Sequence, residues 1–189
     1  MRFSRGPSVG IIVGACVLVM AWWVVGAGFQ ETGPGATTAP EVYYAPEDRP
    51  ADRLVALYEG ARQSIYLAAF GLTYPPIIHA LVEAKKRGID VRVITDRGKL
   101  DDSKQRAALN TLRLAGVPIK VNRHGGLMHL KQAVIDDRIN TSGSMNQTAS
   151  AARYNDERLD MFHDPVSTHR AKEKFLKMWA DHYRYEEWR

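Results

Sequence analysis

The polar and apolar positions from residue 41 onward follow two alternating periods. Short β-rich apolar runs at residues 42–44, 64–70, 91–94 and 118–121 predict strands. Residues 48–62 and 101–115 carry apolar side chains at helical spacing. A further helix is predicted to begin at Pro75 or Pro76 and to end in the basic stretch before Gly88. Strands that alternate with such helices indicate an α/β fold.

An uncharged, strongly apolar run occupies residues 9–29 and follows Arg2 and Arg5. It predicts an apolar helix that is either a signal peptide or a single membrane anchor. The length favours an anchor, whereas Val25-Gly26-Ala27 is a suitable cleavage site, so both alternatives stay open. In both cases the arginines stay in the cytoplasm and the remainder is exported. The protein is then periplasmic or secreted, or it is anchored in the inner membrane with its domain outside the cytoplasm.

The boundaries of the folded domain follow from composition. Residues 30–40 are rich in Gly, Pro and Thr, which is typical of a linker, so the domain is predicted to span residues 41–189. A chain of 189 residues suits one domain of ordinary size. Its single cysteine excludes an internal disulfide framework and any multi-cysteine metal site.

The net charge of +5 is modest, but the positive charge is concentrated in the middle of the chain. Residues 85–138 hold 13 basic and 6 acidic residues, a net +7. This region is either a solvated basic face or an electrostatic funnel for phosphates. Its basic side chains before the motif described next could form an anion-binding rim: Arg97, Lys99, Lys104, Arg106, Arg113, Lys120 and Arg123.

The candidate chemistry lies at residues 128–136, which fit the pattern H-x-K-x-x-x-x-D with His129, Lys131 and Asp136. Alternate residues on a strand share a face, so His129 and Lys131 are expected to project together. Ser144 and Asn146 are expected to do so from a neighbouring strand, if the chain is still extended there. An imidazole, a cation, a hydroxyl and an amide suit attack on a phosphodiester with stabilisation of its oxygens. Further polar residues follow at fixed offsets: Thr148, Asn155 and Glu157.

These two motifs resemble the signature of the phospholipase D superfamily. Over roughly residues 41–185 the chain is also similar to small bacterial endonucleases of the Nuc type, which carry a single such motif. Four stretches outside the motif share the likeness: residues 68–73, 84–91, 115–118 and 175–179. The resemblance implies a sandwich in which a mixed β-sheet is flanked by helices.

The resemblance also implies a two-step reaction that needs no metal and no cofactor. His129 would attack phosphorus and form a phosphohistidine, while a second histidine protonates the leaving oxygen and then activates water. Lys131 and Asn146 would bind the phosphoryl oxygens with support from Ser144. Glu157 would accept a hydrogen bond from His129 and fix its tautomer. Asp136 belongs to the catalytic motif but is expected to be structural.

The chain contains one such motif, so the resemblance implies a homodimer that shares one active site. The expected partner is nucleic acid, DNA or RNA, cleaved as by a nonspecific endonuclease. Two alternatives stay open: a phospholipase D that hydrolyses membrane phospholipids, and a non-catalytic nucleic-acid-binding accessory protein. Departures from the family pattern at Leu130, Asp137 and Gln147 leave the catalytic groups intact but put the substrate in doubt.

Overall fold

The structure, a computed structural model, describes Met1 and residues 39–189. The predicted signal peptide or anchor at residues 9–29 and the linker up to residue 38 lie outside the described residues. None of the helices in the described part of the chain has the length and apolar character needed to cross a membrane.

Residues 39–189 form eight strands and five α-helices. The strands are β1 (Glu41–Ala45), β2 (Ser64–Ala69), β3 (Asp90–Thr95), β4 (Ile119–Asn122), β5 (Lys131–Ile135), β6 (Ile139–Gly143), β7 (Glu157–Phe162) and β8 (Tyr185–Glu187). The helices are α1 (Pro50–Gly60), α2 (Pro75–Lys86), α3 (Ser103–Leu114), α4 (Ala149–Arg153) and α5 (Pro165–Ala180).

All eight strands belong to one sheet, in the order β1-β7-β6-β5-β2-β3-β4-β8. The central strands β2, β3 and β4 run parallel to one another, and the other neighbouring pairs are antiparallel. The predicted α/β fold with a mixed sheet is therefore confirmed. The parallel strands need helical crossovers, which α2 and α3 supply.

Both faces of the sheet are covered by helices, which explains why β2 reads as an unbroken apolar run. Ile65 and Leu67 pack in one cluster with side chains of α1, α2 and α3. Tyr66 and Ala68 point to the opposite face and pack against α5. There the ring of Phe175 stacks on that of Tyr66 at a centroid distance of 5.2 Å.

The helix ends follow the local signals closely, with one correction. The helix predicted over residues 101–115 begins two residues later than expected, as α3 at Ser103, because a 3-10 turn (Arg97–Asp101) precedes it. The Asp102 carboxylate accepts hydrogen bonds from the backbone N–H groups of Lys104 and Gln105, so it caps α3 and fixes its start after residue 102. Gly116, at φ 83°, ends the segment as predicted.

The segments that carry the candidate chemistry meet at one end of the strands. This boundary of the sheet, formed by strand ends and not by an edge strand, is called the edge below. The carboxyl ends of β2 and β3 lie there beside the start of β5, because Ala69 pairs with Lys131. The end of β6 and the start of β7 meet at the same edge, where Gly143 pairs with Leu159.

Candidate active site

The structure brings His129 and Lys131 together at this edge. Lys131 is the first residue of β5, and His129 lies just before the strand. The Lys131 Nζ atom is 3.2 Å from each ring nitrogen of His129 and donates a hydrogen bond to the His129 carbonyl oxygen at 3.0 Å. A nucleophile candidate and a cation therefore occupy one small volume, as a phosphoryl group would require.

Phe70 forms the apolar floor of the site. Its ring meets that of His129 edge-on, with a centroid distance of 4.5 Å. The Lys131 Nζ lies 5.0 Å from the centre of the Phe70 ring, and the Lys99 Nζ lies 4.5 Å from it. Burial lowers the pKa of Lys131, the charge of Glu157 opposes that effect, and the charge of Lys99 adds to it.

Asp96 anchors the segment that leads into His129. It lies directly after β3 and is 1% exposed. Its carboxylate accepts hydrogen bonds from the backbone N–H groups of Met128 at 2.7 Å and Gly98 at 2.9 Å. From the sequence, Asp96 follows the strand predicted at residues 91–94 and has no assigned role. The sequence does show an acidic residue at the carboxyl end of a buried strand. It does not show that this residue contacts Met128, which lies 32 positions away.

The segment after β6 differs from the expected extended strand. The chain turns after Gly143, and the backbone N–H groups of Ser144 and Met145 both donate to the carbonyl oxygen of Arg158, at 3.0 and 3.4 Å. Ser144 and Asn146 therefore do not alternate along a strand. The condition attached to that expectation, an extended chain at these residues, is not met, because β6 ends at Gly143 and the chain turns there.

Glu157 begins β7 and lies beside this turn. One of its carboxylate oxygens accepts a hydrogen bond from the Ser144 hydroxyl, and the other accepts one from Asn155 Nδ2 at 3.1 Å. The resemblance assigned it to His129, whereas the structure gives its two oxygens these other partners. Its charge acts on Lys131 instead, by raising the pKa of that ammonium group. The contact between Glu157 and His129 stays a prediction.

Asn146 and Gln147 follow, and they have different surroundings. The Asn146 Oδ1 atom is buried without a hydrogen-bond partner among the described residues. Gln147, one of the departures from the family pattern, is 3% exposed, and its Nε2 donates to the Tyr58 hydroxyl at 2.9 Å. Its backbone N–H donates to Gly71 at 2.9 Å. Gln147 is therefore part of the core, so it does not line the substrate site.

Asp136 lies at the other end of β5, roughly 17 Å from Lys131 at the rise of an extended strand. Its carboxylate accepts hydrogen bonds from the backbone N–H groups of Arg62, Gln63 and Ser64, at 2.7 to 3.1 Å. It therefore ties the loop before β2 to the turn after β5. The structural role expected for Asp136 agrees with this placement, which is remote from His129.

Replacing Asp136 by asparagine is expected to lower the free energy of unfolding by about 1–3 kcal/mol, because charge-assisted bonds to three amides are weakened. Asparagine tolerates the left-handed backbone at this position, where φ is 53°. The matched control is Asp137→Asn, which removes only a surface ion pair with Lys172 and should cost less than about 1 kcal/mol. Urea unfolding of both variants checks this, and equal midpoints would contradict the role of Asp136.

The basic residues before the motif differ in their contacts. Arg97 and Arg123 both pair with Glu186 of β8. Lys120 is 4% exposed and donates to the carbonyl oxygen of Trp179 at 2.6 Å. Lys99 and Lys104 line a cavity of about 670 Å³ beside the site, together with Phe70 and Asn146. Of the seven basic residues expected to form an anion-binding rim, these two lysines line the cavity beside the site.

Known proteins show the same architecture. The family described as "Cardiolipin synthase, PLD-like domain" matches residues 54–179. The chain is 31% identical over 135 residues to a mitochondrial cardiolipin hydrolase of Xenopus tropicalis, covering 71% of this chain and 63% of the relative. It is 32% identical over 122 residues to a phospholipase D of Rickettsia conorii, covering 64% of this chain and 58% of that protein. The chain thus spans about three fifths of the length of these relatives.

Solved structures agree with these matches. The crystal structure of Nuc from Salmonella typhimurium, a phospholipase D family member, superposes with a TM-score of 0.72 and 27% identity. The match covers 80% of this chain and 98% of that one. NucT from Helicobacter pylori shares the fold at 23% identity, with a TM-score of 0.65 over 74% of this chain and 94% of that one. With the family match over more than half of its length, the chain belongs to the phospholipase D superfamily, as a PLD-like domain.

Proposed function

We propose that this protein is a metal-independent phosphodiesterase that cleaves DNA or RNA as a nonspecific endonuclease. The observation that carries the proposal is the contact between Lys131 Nζ and the ring of His129, at 3.2 Å. Asn146 and the Ser144–Glu157 pair lie at the same edge of the sheet. The nucleophile, the cation and the hydrogen-bonding groups are thus all carried by segments at the same end of the strands, which supports binding of a phosphate there.

The reaction proceeds in two displacements at phosphorus. A ring nitrogen of His129 forms a bond to phosphorus as the bond to the leaving oxygen breaks, and a second, protonated histidine gives that oxygen its proton. The same histidine then takes a proton from water, which attacks phosphorus and releases His129. Lys131 binds the phosphoryl oxygens throughout, and its charge stabilises the negative charge that develops on them.

The second histidine comes from a second copy of the chain. The sequence contains one H-x-K-x-x-x-x-D motif, so each copy supplies one nucleophile or one acid. The functional unit is then a homodimer with one shared active site. Light scattering should give twice the mass of one chain for the active species, and an active monomer would overturn this arrangement.

We propose that this activity lies outside the cytoplasm, because the N-terminal sequence has the features of an export signal or anchor. The uncharged residues 9–29 direct export, after which they are cleaved or retained as an anchor.

A phospholipid substrate is the second candidate, because similar proteins from Rickettsia conorii and Xenopus tropicalis are named phospholipase D and cardiolipin hydrolase.

The decisive experiment incubates the purified full chain in EDTA with three substrates in parallel. These are supercoiled plasmid DNA, single-stranded RNA, and vesicles that contain phosphatidylcholine and cardiolipin. Nicking or RNA cleavage that persists in EDTA supports the nuclease. Head-group release without nucleic-acid cleavage assigns the protein to phospholipids, and binding of nucleic acid without any cleavage assigns it to the accessory class. Loss of all activity in EDTA would overturn the metal-independent mechanism.

The lowered pKa of Lys131 predicts how nucleic-acid binding depends on pH. Because burial favours the neutral amine, Lys131 should lose its charge, and with it part of the affinity, below the pH at which an ordinary lysine titrates. Fluorescence anisotropy with a labelled oligonucleotide from pH 7.5 to 10.5 measures this in a variant with His129→Asn, which prevents turnover. Adding Lys131→Arg should remove the early loss, because arginine stays charged over this range. The same early loss with arginine present would exclude Lys131 as its source.

A further inference from the structure

A polar cavity adjoins the catalytic residues on the side of the 3-10 turn. Six of its lining residues can contact a charged ligand: Lys99, Lys104, Asn146, Thr148, Ser150 and Tyr154. Asn146 belongs to the proposed catalytic set, so the cavity opens directly beside the position of the scissile phosphate. Its chemistry consists of cations, hydroxyls and an amide, which suits an anionic, hydrogen-bonding ligand.

Lys99 is held in place by the turn that carries it. The Asp96 carboxylate accepts a hydrogen bond from the backbone N–H of Gly98 at 2.9 Å, and the Asp96 carbonyl oxygen accepts one from that of Lys99 at 3.1 Å. The ammonium group lies 4.5 Å from the centre of the Phe70 ring, the same ring that contacts His129. A cation over an aromatic face is partly oriented before any ligand arrives.

The cavity lining carries a net positive charge, because it contains two lysines and one aspartate. Among residues 39–189, no ion pair engages Lys99 or Lys104. Asp102 also lines the cavity, but one of its oxygens already caps α3. Lys99 and Lys131 share the Phe70 ring, and the charge of Lys99 lowers the pKa of Lys131. Separate phosphates bound at Lys131 and at Lys99 would offset this repulsion.

We propose that Lys99 and Lys104 bind the phosphate next to the scissile one on a single strand of nucleic acid, with exposed Tyr154 available to stack on a base. Tyr154 is 76% exposed at the rim of the same cavity, where it can contact a base without displacing any core residue. The polar lining favours a nucleic-acid strand over lipid acyl chains. This inference rests on the proposed nuclease function and specifies its substrate as a chain of at least two phosphates.

The test compares Lys99→Gln with the unmodified full chain on two substrates. One is bis(p-nitrophenyl) phosphate, which has a single phosphodiester, and the other is a labelled oligonucleotide of eight nucleotides. For the oligonucleotide, kcat/KM should fall about 5- to 20-fold because KM rises while kcat stays the same. The slope of log affinity against log salt concentration should decrease by about one, since one phosphate contact is lost. For the single diester, kcat/KM should change less than about 2-fold, since it has no second phosphate. Lys174→Gln, an exposed position on α5, is the matched control and should change neither substrate.

Each other outcome has a definite meaning. Equal losses on both substrates would place Lys99 at the scissile phosphate, and no loss on either would overturn the subsite. If the unmodified protein cleaves cardiolipin vesicles but not the oligonucleotide, Lys99→Gln is assayed on those vesicles as well. A loss there would assign the second phosphate to a lipid and overturn the nucleic-acid proposal. If the unmodified protein cleaves nothing, the proposed function fails. Oligonucleotide binding by the His129→Asn variant, with and without Lys99→Gln, then still decides whether Lys99 contacts a phosphate.

Discussion

Replacing His129 by asparagine is expected to lower kcat for nucleic-acid cleavage by about 10⁴-fold or more, while the protein remains folded. Asparagine can hydrogen-bond in the same place but cannot form a stable bond to phosphorus, so the covalent pathway is lost. His129 lies on the surface before β5, and its ring contacts Phe70 at the edge, so the fold does not depend on it. Its replacement should change the free energy of unfolding by less than about 0.5 kcal/mol.

Initial rates and a chemical trap measure this prediction together. Rapid denaturation during turnover of a labelled phosphodiester should leave label on the unmodified chain, in acid-labile form, and none on the variant with His129→Asn. His169→Asn is the control, because His169 is exposed on α5, where its ring lies 3.4 Å from the Glu173 carboxylate. Residual activity above about a tenth, with the label still attached, would exclude His129 as the nucleophile.

The fold was predictable where local pattern and long-range packing demand the same structure. β2 reads as a continuous apolar run because Ile65 and Tyr66 point to opposite faces and both faces are covered by helices. The start of α2 at Pro75 and the end near Gly88 follow from residues whose backbone preferences act locally. The short strand β8 has three residues and no such pattern, and it is held by pairing with β4.

The candidate site was predictable in its membership but less so in its contacts. His129 and Lys131 lie together as expected from their spacing, although His129 precedes β5 and only Lys131 belongs to the strand. Asp96 and Met128 meet because β3 and the segment before β5 end at the same edge, which depends on strand order. Glu157 contacts Ser144 for the same reason. No rule based on sequence spacing predicts such tertiary contacts. The family resemblance therefore identified the residues of the site but not their hydrogen bonds.

The effect of Gln147, a departure from the family pattern, can be judged only from its place in the structure. In the sequence it follows Asn146 directly, and this position suggested an effect on substrate binding. In the structure its side chain turns into the core and donates to the Tyr58 hydroxyl on α1. Under the proposed function, the substrate preference of this protein is better sought at Lys99 and Tyr154, which line the cavity beside the site.

Changing Gly143 to alanine is expected to lower the free energy of unfolding by about 3 kcal/mol or more and to reduce activity in the molecules that still fold. Gly143 has φ 154°, and a Cβ atom there would overlap the Arg158 carbonyl oxygen and lie 2.9 Å from its carbon. The Arg158 oxygen accepts hydrogen bonds from the backbone N–H groups of Ser144 and Met145. Displacing this oxygen therefore disturbs the turn that places Ser144 against Glu157. Gly60→Ala is the matched control, because a Cβ at the end of α1 meets nothing within 4 Å and should be neutral or stabilising by up to about 1 kcal/mol. Urea unfolding and cleavage rates of both variants measure the effect, and equal stability of the two would show that β7 can yield at Arg158 without cost.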